Sequence, residues 1–144
     1  MGIGYKERNF KKYLENHFGI RLPANVEIFY ARGVRIGNTE IIKSHIDGEL
    51  GYAACDFGFN PTNALIMNFG HLARKNYVDM EEKEAIRFVK GENIALKDRV
   101  AVTMGAKNKY VIVKFDGNVI GLGHYDKERK MVFNKVPEKT RREI

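Results

Sequence analysis

The sequence predicts an α+β protein in which an N-terminal α/β module is followed by a small mixed β-barrel. In the first part of the chain, apolar residues recur at helical spacing. In the second part they fall in short alternating runs divided by glycine turns. The charge changes at the same place: the formal net charge is +7, and all of the excess lies in residues 83–144. These observations place a module boundary near residue 80, with modules at 1–80 and 81–144.

The first predicted element is an amphipathic helix over residues 5–18, which Gly19 is expected to end. Its apolar stripe has helical spacing and consists of Phe10, Tyr13, Leu14 and Phe18. A burial stripe on one side of a helix requires a second element to pack against it. We therefore expect this helix to contribute to a core rather than to stand alone.

The rest of the first module alternates strands with one further helix. Residues 26–31 and 34–37 are β-rich and flank a turn at Gly33, and residues 51–59 read as another strand. Residues 39–46 fit either a strand or a short helix. The second helix is expected over residues 60–75, with Asn60 as its N-cap, Pro61 at its first position, and Arg74 and Lys75 at its end.

The second module shows strand periodicity. A short strand at 77–80 and a helix at 81–90 precede four β-rich runs, at residues 99–104, 110–115, 118–123 and 130–136. Asp116-Gly117 between two of these runs is a strong hairpin signal. In YVIVKF, alternation divides the residues between two faces, with Tyr110, Ile112 and Lys114 on one. Short strands with glycine turns are typical of a small barrel.

Motifs of catalysis and metal binding are missing from the sequence. The lone cysteine, Cys55, has no partner for a disulfide or a metal pair, and the four histidines show no ligand spacing. We therefore expect no catalytic residue, no metal and no cofactor. The longest apolar runs fall far short of the about 20 residues that a bilayer span needs, and no signal peptide opens the sequence. A cytoplasmic, non-membrane protein is expected.

The basic residues of the second module indicate a polyanionic partner, because Lys and Arg neutralise phosphates. RNA is favoured over DNA because no helix-turn-helix or zinc finger is recognisable. Tyr125 is expected to be open for stacking on a base, whereas Phe133 is expected to pack in the core. The predicted phosphate contacts precede or follow the glycine-rich strand and are Lys107, Lys109, Lys127, Arg129, Lys130, Lys135, Lys139, Arg141 and Arg142.

Two longer stretches resemble known RNA-binding proteins. The run DRVAVTMGAKNKYVIVKFDGNVIGLG is similar to a PUA domain, the small RNA-binding barrel of pseudouridine synthases and archaeosine transglycosylases. With the preceding YAACDFGFNPTNALIMNFGHLARKNYVDMEEKEAIRFVKGENI, it resembles large-subunit ribosome-biogenesis factors, in which a pre-PUA domain precedes the PUA domain. It also resembles the C-terminal segment of Nop2/Sun RNA cytosine-5 methyltransferases.

The resemblance implies RNA binding through the PUA face and the basic residues after the glycine motif, which is represented here by Gly121 and Gly123. The motif strand IGLG is expected to need its glycines for a bulge or for a close approach of backbone, of which approach to a sugar-phosphate chain is one case. Catalysis is not implied, because Cys55 follows an alanine and the Pro-Cys nucleophile of the methyltransferases is missing.

The expected function is non-catalytic binding of structured rRNA or tRNA in ribosome biogenesis or RNA modification, with pre-ribosomal or RNA-modifying proteins as further partners. One alternative is an accessory subunit that works in trans with an RNA methyltransferase or a pseudouridine synthase. Another is a protein-interaction module whose basic surface meets an acidic partner.

Overall fold

The computed structural model describes residues 10–30, 34–38, 52–55, 61–96 and 109–138. Within these ranges, helices pack against a three-stranded sheet and a five-stranded sheet. The mixed α+β class predicted from the sequence is confirmed. No helix in the described part of the chain is long and apolar enough to cross a bilayer.

The N-terminal helix is α-helical at residues 10–13 and continues as a π-helical turn, Leu14–Phe18. Gly19 ends it in the left-handed conformation, with φ 67°, which glycine adopts without the penalty of a Cβ. Phe10, Leu14 and Phe18 are fully buried. The apolar stripe and the stop predicted from the sequence are both confirmed.

The small sheet is antiparallel, with strands β1 (Val26–Tyr30), β2 (Val34–Asn38) and β3 (Tyr52–Cys55) in that order. These strands lie within the β-rich runs predicted at 26–31, 34–37 and 51–59, give or take one residue, and the predicted turn at Gly33 lies outside the described residues. Residues 39–46, for which a strand and a helix were both open, lie outside the described residues.

Helix α1 (Asn63–Phe69) starts later and ends earlier than the sequence suggested, and a 3₁₀ turn, Gly70–Leu72, follows it. Its N-cap is Thr62, whose Oγ1 accepts a hydrogen bond from the Leu65 amide at 3.2 Å, so the prediction of Asn60 as the cap is wrong. The reason is that Thr62 is extended and its hydroxyl can satisfy an orphan amide of the first turn.

Five strands form the second, curled sheet: β4 (Tyr77–Asp79), β5 (Ile94–Ala95), β6 (Lys109–Phe115), β7 (Asn118–Asp126) and β8 (Met131–Asn134). Their order in the sheet is β4-β6-β7-β8-β5. β4 is parallel to β6, and the other neighbours are antiparallel. The predicted run at 99–104 lies outside the described residues.

The β6–β7 hairpin turns at the predicted dipeptide, where Asp116 and Gly117 have φ values of 51° and 79°. Positive φ at both central residues is the mark of a type I′ turn, whose twist suits a two-residue hairpin. Further along, Val113 pairs with Gly121 and Lys114 with Val119. Ile120 is therefore an extra residue on β7, a bulge that shifts the alternation of this strand.

The two faces of the large sheet are buried in two cores. On one face, the N-terminal helix and α1 pack with Ile112 and Leu122 to form the first core. On the other face, helix α2 (Glu82–Val89) packs Ala85 and Phe88 among sheet residues to form the second core. The predicted alternation of YVIVKF is confirmed, since Tyr110 and Ile112 belong to the first core and Val111 and Val113 to the second.

Candidate nucleic-acid interface

The turn between β7 and β8, residues 127–130, carries three basic side chains, those of Lys127, Arg129 and Lys130, and is called the basic turn below. All of its residues are exposed. Asp126 precedes the turn, and its Oδ1 accepts hydrogen bonds from the amides of Glu128 at 3.0 Å and Arg129 at 3.2 Å. This Asx-type turn fixes the backbone with a side chain from the end of the strand.

The far side of the basic turn is held by a second contact. Lys130 has a φ of 52°, and its carbonyl accepts a hydrogen bond from the Leu96 amide at 2.8 Å. Leu96 follows β5 and is buried in the second core. The turn is therefore fastened to the folded sheet at both ends, which lowers the conformational entropy that a ligand must remove when it binds.

Acidic residues reduce the positive charge of the basic turn but do not neutralise it. Arg129 Nε lies 3.8 Å from Asp126 Oδ2, and the Arg129 side chain is 73% exposed. An ion pair at this distance with an exposed guanidinium contributes little free energy, so the guanidinium is able to bind another anion. Glu128 is the acidic side chain within the turn, which leaves the turn with a positive balance.

A row of aromatic side chains runs across three strands beside the basic turn. Tyr110 pairs with His124 across β6 and β7, and His124 pairs with Phe133 across β7 and β8. Directly opposed residues share one face of a sheet. The rings of Tyr110 and His124 meet edge to face, with centroids 4.9 Å apart. We call these three residues the aromatic row; each is partly exposed.

Basic residues precede and follow Phe133 in the chain. The Arg129 guanidinium stands over the Phe133 ring, 6.0 Å from its centroid. Lys135 follows two residues later, exposed, with its amide bonded to the Leu122 carbonyl at 3.0 Å so that the β7–β8 pairing continues. Because residues two apart on a strand share a face, Lys135 lies on the side of the sheet that carries Phe133.

The pKa of His124 responds to burial and to the charged groups beside the aromatic row. Burial lowers the pKa of its imidazole below the ordinary 6.5, the nearby Lys135 lowers it further, and Asp126 acts in the opposite direction. The positive charge of Lys135 thus reaches the aromatic row. A neutral imidazole keeps the row apolar near neutral pH.

Tyr125 is buried and Phe133 is partly exposed, which is the opposite of what the sequence predicted. Tyr125 is 8% exposed and belongs to the second core, so the expectation that its ring is open to a base is wrong. Neighbouring residues of a strand point to opposite faces, and His124 takes the outer one. Phe133, expected in the core, is partly exposed beneath Arg129.

Gly121 and Gly123 let the motif strand approach its neighbours closely. A Cβ on Gly121 would lie 2.5 Å from Val136 Cγ2, and one on Gly123 would lie 2.5 Å from Val132 Cγ1. Both glycines are buried against the second core. The close approach expected for these glycines is therefore to neighbouring side chains of the protein, and approach to a sugar-phosphate chain does not fit this packing. The bulge is present at Ile120, one residue before Gly121.

The other predicted contacts divide into two groups. Lys109 opens β6 opposite Tyr125, which places its backbone at the end of the sheet where the basic turn lies. The second group, Lys107, Lys139, Arg141 and Arg142, lies outside the described residues. In the described ranges, no group of three or more His, Cys, Asp or Glu side chains could hold a metal ion.

The curled five-stranded sheet, with α2 packed in the second core and the basic turn between β7 and β8, forms a half-barrel within a mixed α+β fold. Residues 75–142 match the family model described as the methyltransferase RsmF PUA domain. These residues are a PUA domain related to the C-terminal segment of Nop2/Sun methyltransferases. The match includes β4, which the predicted boundary had assigned to the first module. A comparison with curated proteins finds no match.

Proposed function

We propose that this protein is a non-catalytic RNA-binding protein that recognises structured rRNA or tRNA during maturation in the cytoplasm. The observation that carries the proposal is the basic turn, which presents three cations from a fixed position on the PUA sheet. The PUA match supports RNA binding in a context of RNA methylation. The resemblance to pre-PUA proteins supports a ribosomal or tRNA substrate and remains a prediction.

Phosphate contacts of this kind position a protein on RNA without reading its sequence. Lysine offers a mobile point charge, whereas the planar guanidinium of Arg129 can bind a phosphate through two parallel hydrogen bonds. The exposed turn supplies both kinds of donor. Each neutralised phosphate releases counterions, so affinity must fall as the salt concentration rises.

The first experiment is a titration of fluorescently labelled rRNA and tRNA fragments with the protein at several salt concentrations. With about five phosphates engaged, the logarithm of affinity should fall with the logarithm of salt at a slope of roughly −3.5 to −4.5. Replacing Lys127, Arg129 and Lys130 together with alanine should make that slope shallower by about 2 to 3, because up to three phosphate contacts are lost.

The matched control for the triple variant is Arg21→Ala, which removes an exposed cation paired with Glu15 at 3.3 Å on another part of the surface. It should leave affinity and slope close to those of the unchanged protein. Circular dichroism of every variant verifies the fold. Absence of binding at low salt, or binding without salt dependence, would contradict the proposal.

A second candidate function is that of an accessory subunit that acts in trans with an RNA methyltransferase. The description of the matching family as part of a methyltransferase favours it. Affinity purification from the native cells, followed by a methylation assay with and without this protein, distinguishes the candidates. Recovery of a methyltransferase and faster modification of the bound RNA would establish the accessory role.

A further inference from the structure

We propose that the aromatic row of Tyr110, His124 and Phe133 is a stacking platform for unpaired RNA bases, with Arg129 and Lys135 binding the adjoining phosphates. This inference rests on the proposed RNA-binding function and specifies the kind of RNA that the site takes. It assigns a ligand to the part of the first-core face of the PUA sheet that lies beside the basic turn.

The surface is available because the N-terminal helix covers one part of this sheet face and ends beside the other. Ile112 and Leu122 lie beneath the helix in the first core. At the helix end, His17 Nε2 is 2.8 Å from the Tyr110 carbonyl oxygen and donates to it. The next row of the sheet toward the basic turn is the aromatic row, and all three of its side chains keep some exposure.

The aromatic rings and positive charge of this surface suit a nucleotide whose base is unpaired. Every base has a π-face that stacks on an aromatic ring, and bases in a duplex already use that face against their neighbours. Phe133 has a cation on each side of it along the chain: Arg129 in the basic turn, 6.0 Å from the ring centroid, and Lys135 just after β8. A base on Phe133 therefore places its flanking phosphates near positive charge.

The position of Arg129 makes the site cationic as well as aromatic. Its guanidinium is at cation–π distance from Phe133 and keeps most of its exposure. A planar guanidinium can itself stack on a base or bind a phosphate. An acidic peptide would match the charge of this surface but would leave the ring faces without a planar partner. The chemistry therefore favours unpaired nucleotides.

The test compares Phe133→Leu with Phe115→Leu, since Phe115 is another partly exposed phenylalanine, at the opposite end of β6. Each variant is titrated with a labelled single strand of about 12 nucleotides and with a duplex of the same length. Phe133→Leu should weaken binding of the single strand by about 5- to 100-fold, with little change for the duplex. Phe115→Leu should change neither.

A second readout uses the lack of tryptophan in the chain. In Phe133→Trp, the introduced indole is the sole tryptophan and keeps the capacity to stack. Binding of the single strand should quench its fluorescence, as stacking against a base does, and the duplex should quench it much less. Phe115→Trp is the control whose emission should stay constant when RNA is added.

The outcomes separate this inference from the proposed function. Suppose that RNA binds with the expected salt slope while Phe133→Leu binds normally and the indole of Phe133→Trp is not quenched. The platform is then excluded, and phosphate binding by the basic turn remains. If the rRNA and tRNA fragments of the first titration do not bind at low salt, the proposed function itself fails. A polyglutamate peptide is also tested as a competitor of the labelled single strand. If it quenches that indole and displaces the strand at a lower concentration than unlabelled RNA does, the surface binds an acidic protein and the inference is overturned.

Discussion

At the scale of single residues, His124 connects the chemistry of the aromatic row to the stability of the fold. Burial and the nearby Lys135 lower the pKa of its imidazole, and Asp126 partly offsets them. The ring is in contact with Tyr110 on β6, so an imidazolium formed there would lose hydration and face a lysine. In the unfolded chain neither penalty exists, and the proton binds at the ordinary value of 6.5.

The linkage predicts the direction of an acid effect. Well above pH 6.5 the imidazole is neutral in both states and contributes nothing to the pH dependence. As the pH falls below that value, the unfolded chain binds the proton first, so stability is lost until the pH has passed the lowered pKa of the folded state. His124→Gln should therefore lose less stability on acidification than the unchanged protein.

Urea denaturation at pH values from about 7.5 down to 5 measures this difference. The control is His71→Gln, which makes the same exchange at an exposed position of the 3₁₀ turn. Identical acid sensitivity of His124→Gln and the unchanged protein would show that His124 titrates alike in the folded and unfolded chains.

At the scale of elements, the sequence predicted those features that follow from local chemistry. The Asp116-Gly117 dipeptide demands positive φ at both residues, which fixes the hairpin and its register. The alternation in YVIVKF survives in β6 because both faces of that strand are buried. The helix predicted at 81–90 is present as α2. Its capping box, in which the side chains of Glu81 and Glu84 accept from each other's backbone amides, was not predicted but also arises from neighbours in the chain.

Local chemistry did not predict which face of the large sheet Tyr125 and Phe133 occupy. The bulge at Ile120 shifts the alternation of β7, and so decides that Tyr125 turns inward and His124 outward. The pairing of β8 then sets Phe133 opposite His124. Both decisions depend on long-range packing, which residue types alone do not reveal. β5 has two residues and is too short to produce a periodic signal.

The basic turn gives a prediction at this scale. Glu128 is an exposed carboxylate among the three cations of the turn, so it repels an approaching phosphate. Glu128→Gln removes that charge and keeps the backbone amide that Asp126 holds. We expect RNA affinity to increase by about two- to fivefold at low salt, a gain of roughly 0.5–1 kcal/mol that is typical of a screened surface charge.

Binding titrations at low and high salt provide the measurement, and the gain should shrink as salt increases. Glu82→Gln is the matched control, because Glu82 is an exposed glutamate in the first turn of α2. An equal gain in both variants would indicate a response to net charge, and the position of RNA on the turn would lose its support.

At the scale of the whole molecule, the N-terminal helix and the PUA sheet share one core. Leu14 is fully buried in the cluster that contains Ile112 and Leu122. The helix end is tied down by backbone bonds, since the Phe18 carbonyl accepts from the Arg74 amide at 2.8 Å and from the Lys75 amide at 3.2 Å. These bonds satisfy a carbonyl that the helix leaves orphaned. The division near residue 80 stays a prediction, and packing joins the parts on either side of it.

Such sharing predicts that the helix and the sheet unfold together. Leu14→Ala leaves a cavity between them and should lower the free energy of unfolding by about 2–5 kcal/mol. Urea denaturation is followed by helical circular dichroism and by the emission of the introduced indole in a Phe133→Trp background. The control Lys12→Ala changes an exposed residue of the same helix and should have little effect.

The two signals should shift together in Leu14→Ala and keep a common midpoint, as in a two-state transition. Loss of the helical signal at lower urea, while the indole on β8 stays in its folded environment, would instead show a helix that docks on an independently stable barrel. The distinction bears on the aromatic row as well. Because the helix ends at Tyr110, loss of its packing exposes Ile112 and Leu122 beside the row. If the helix and the sheet form one cooperative unit, a substitution as distant as Leu14 must then weaken the binding of single-stranded RNA only by unfolding the protein.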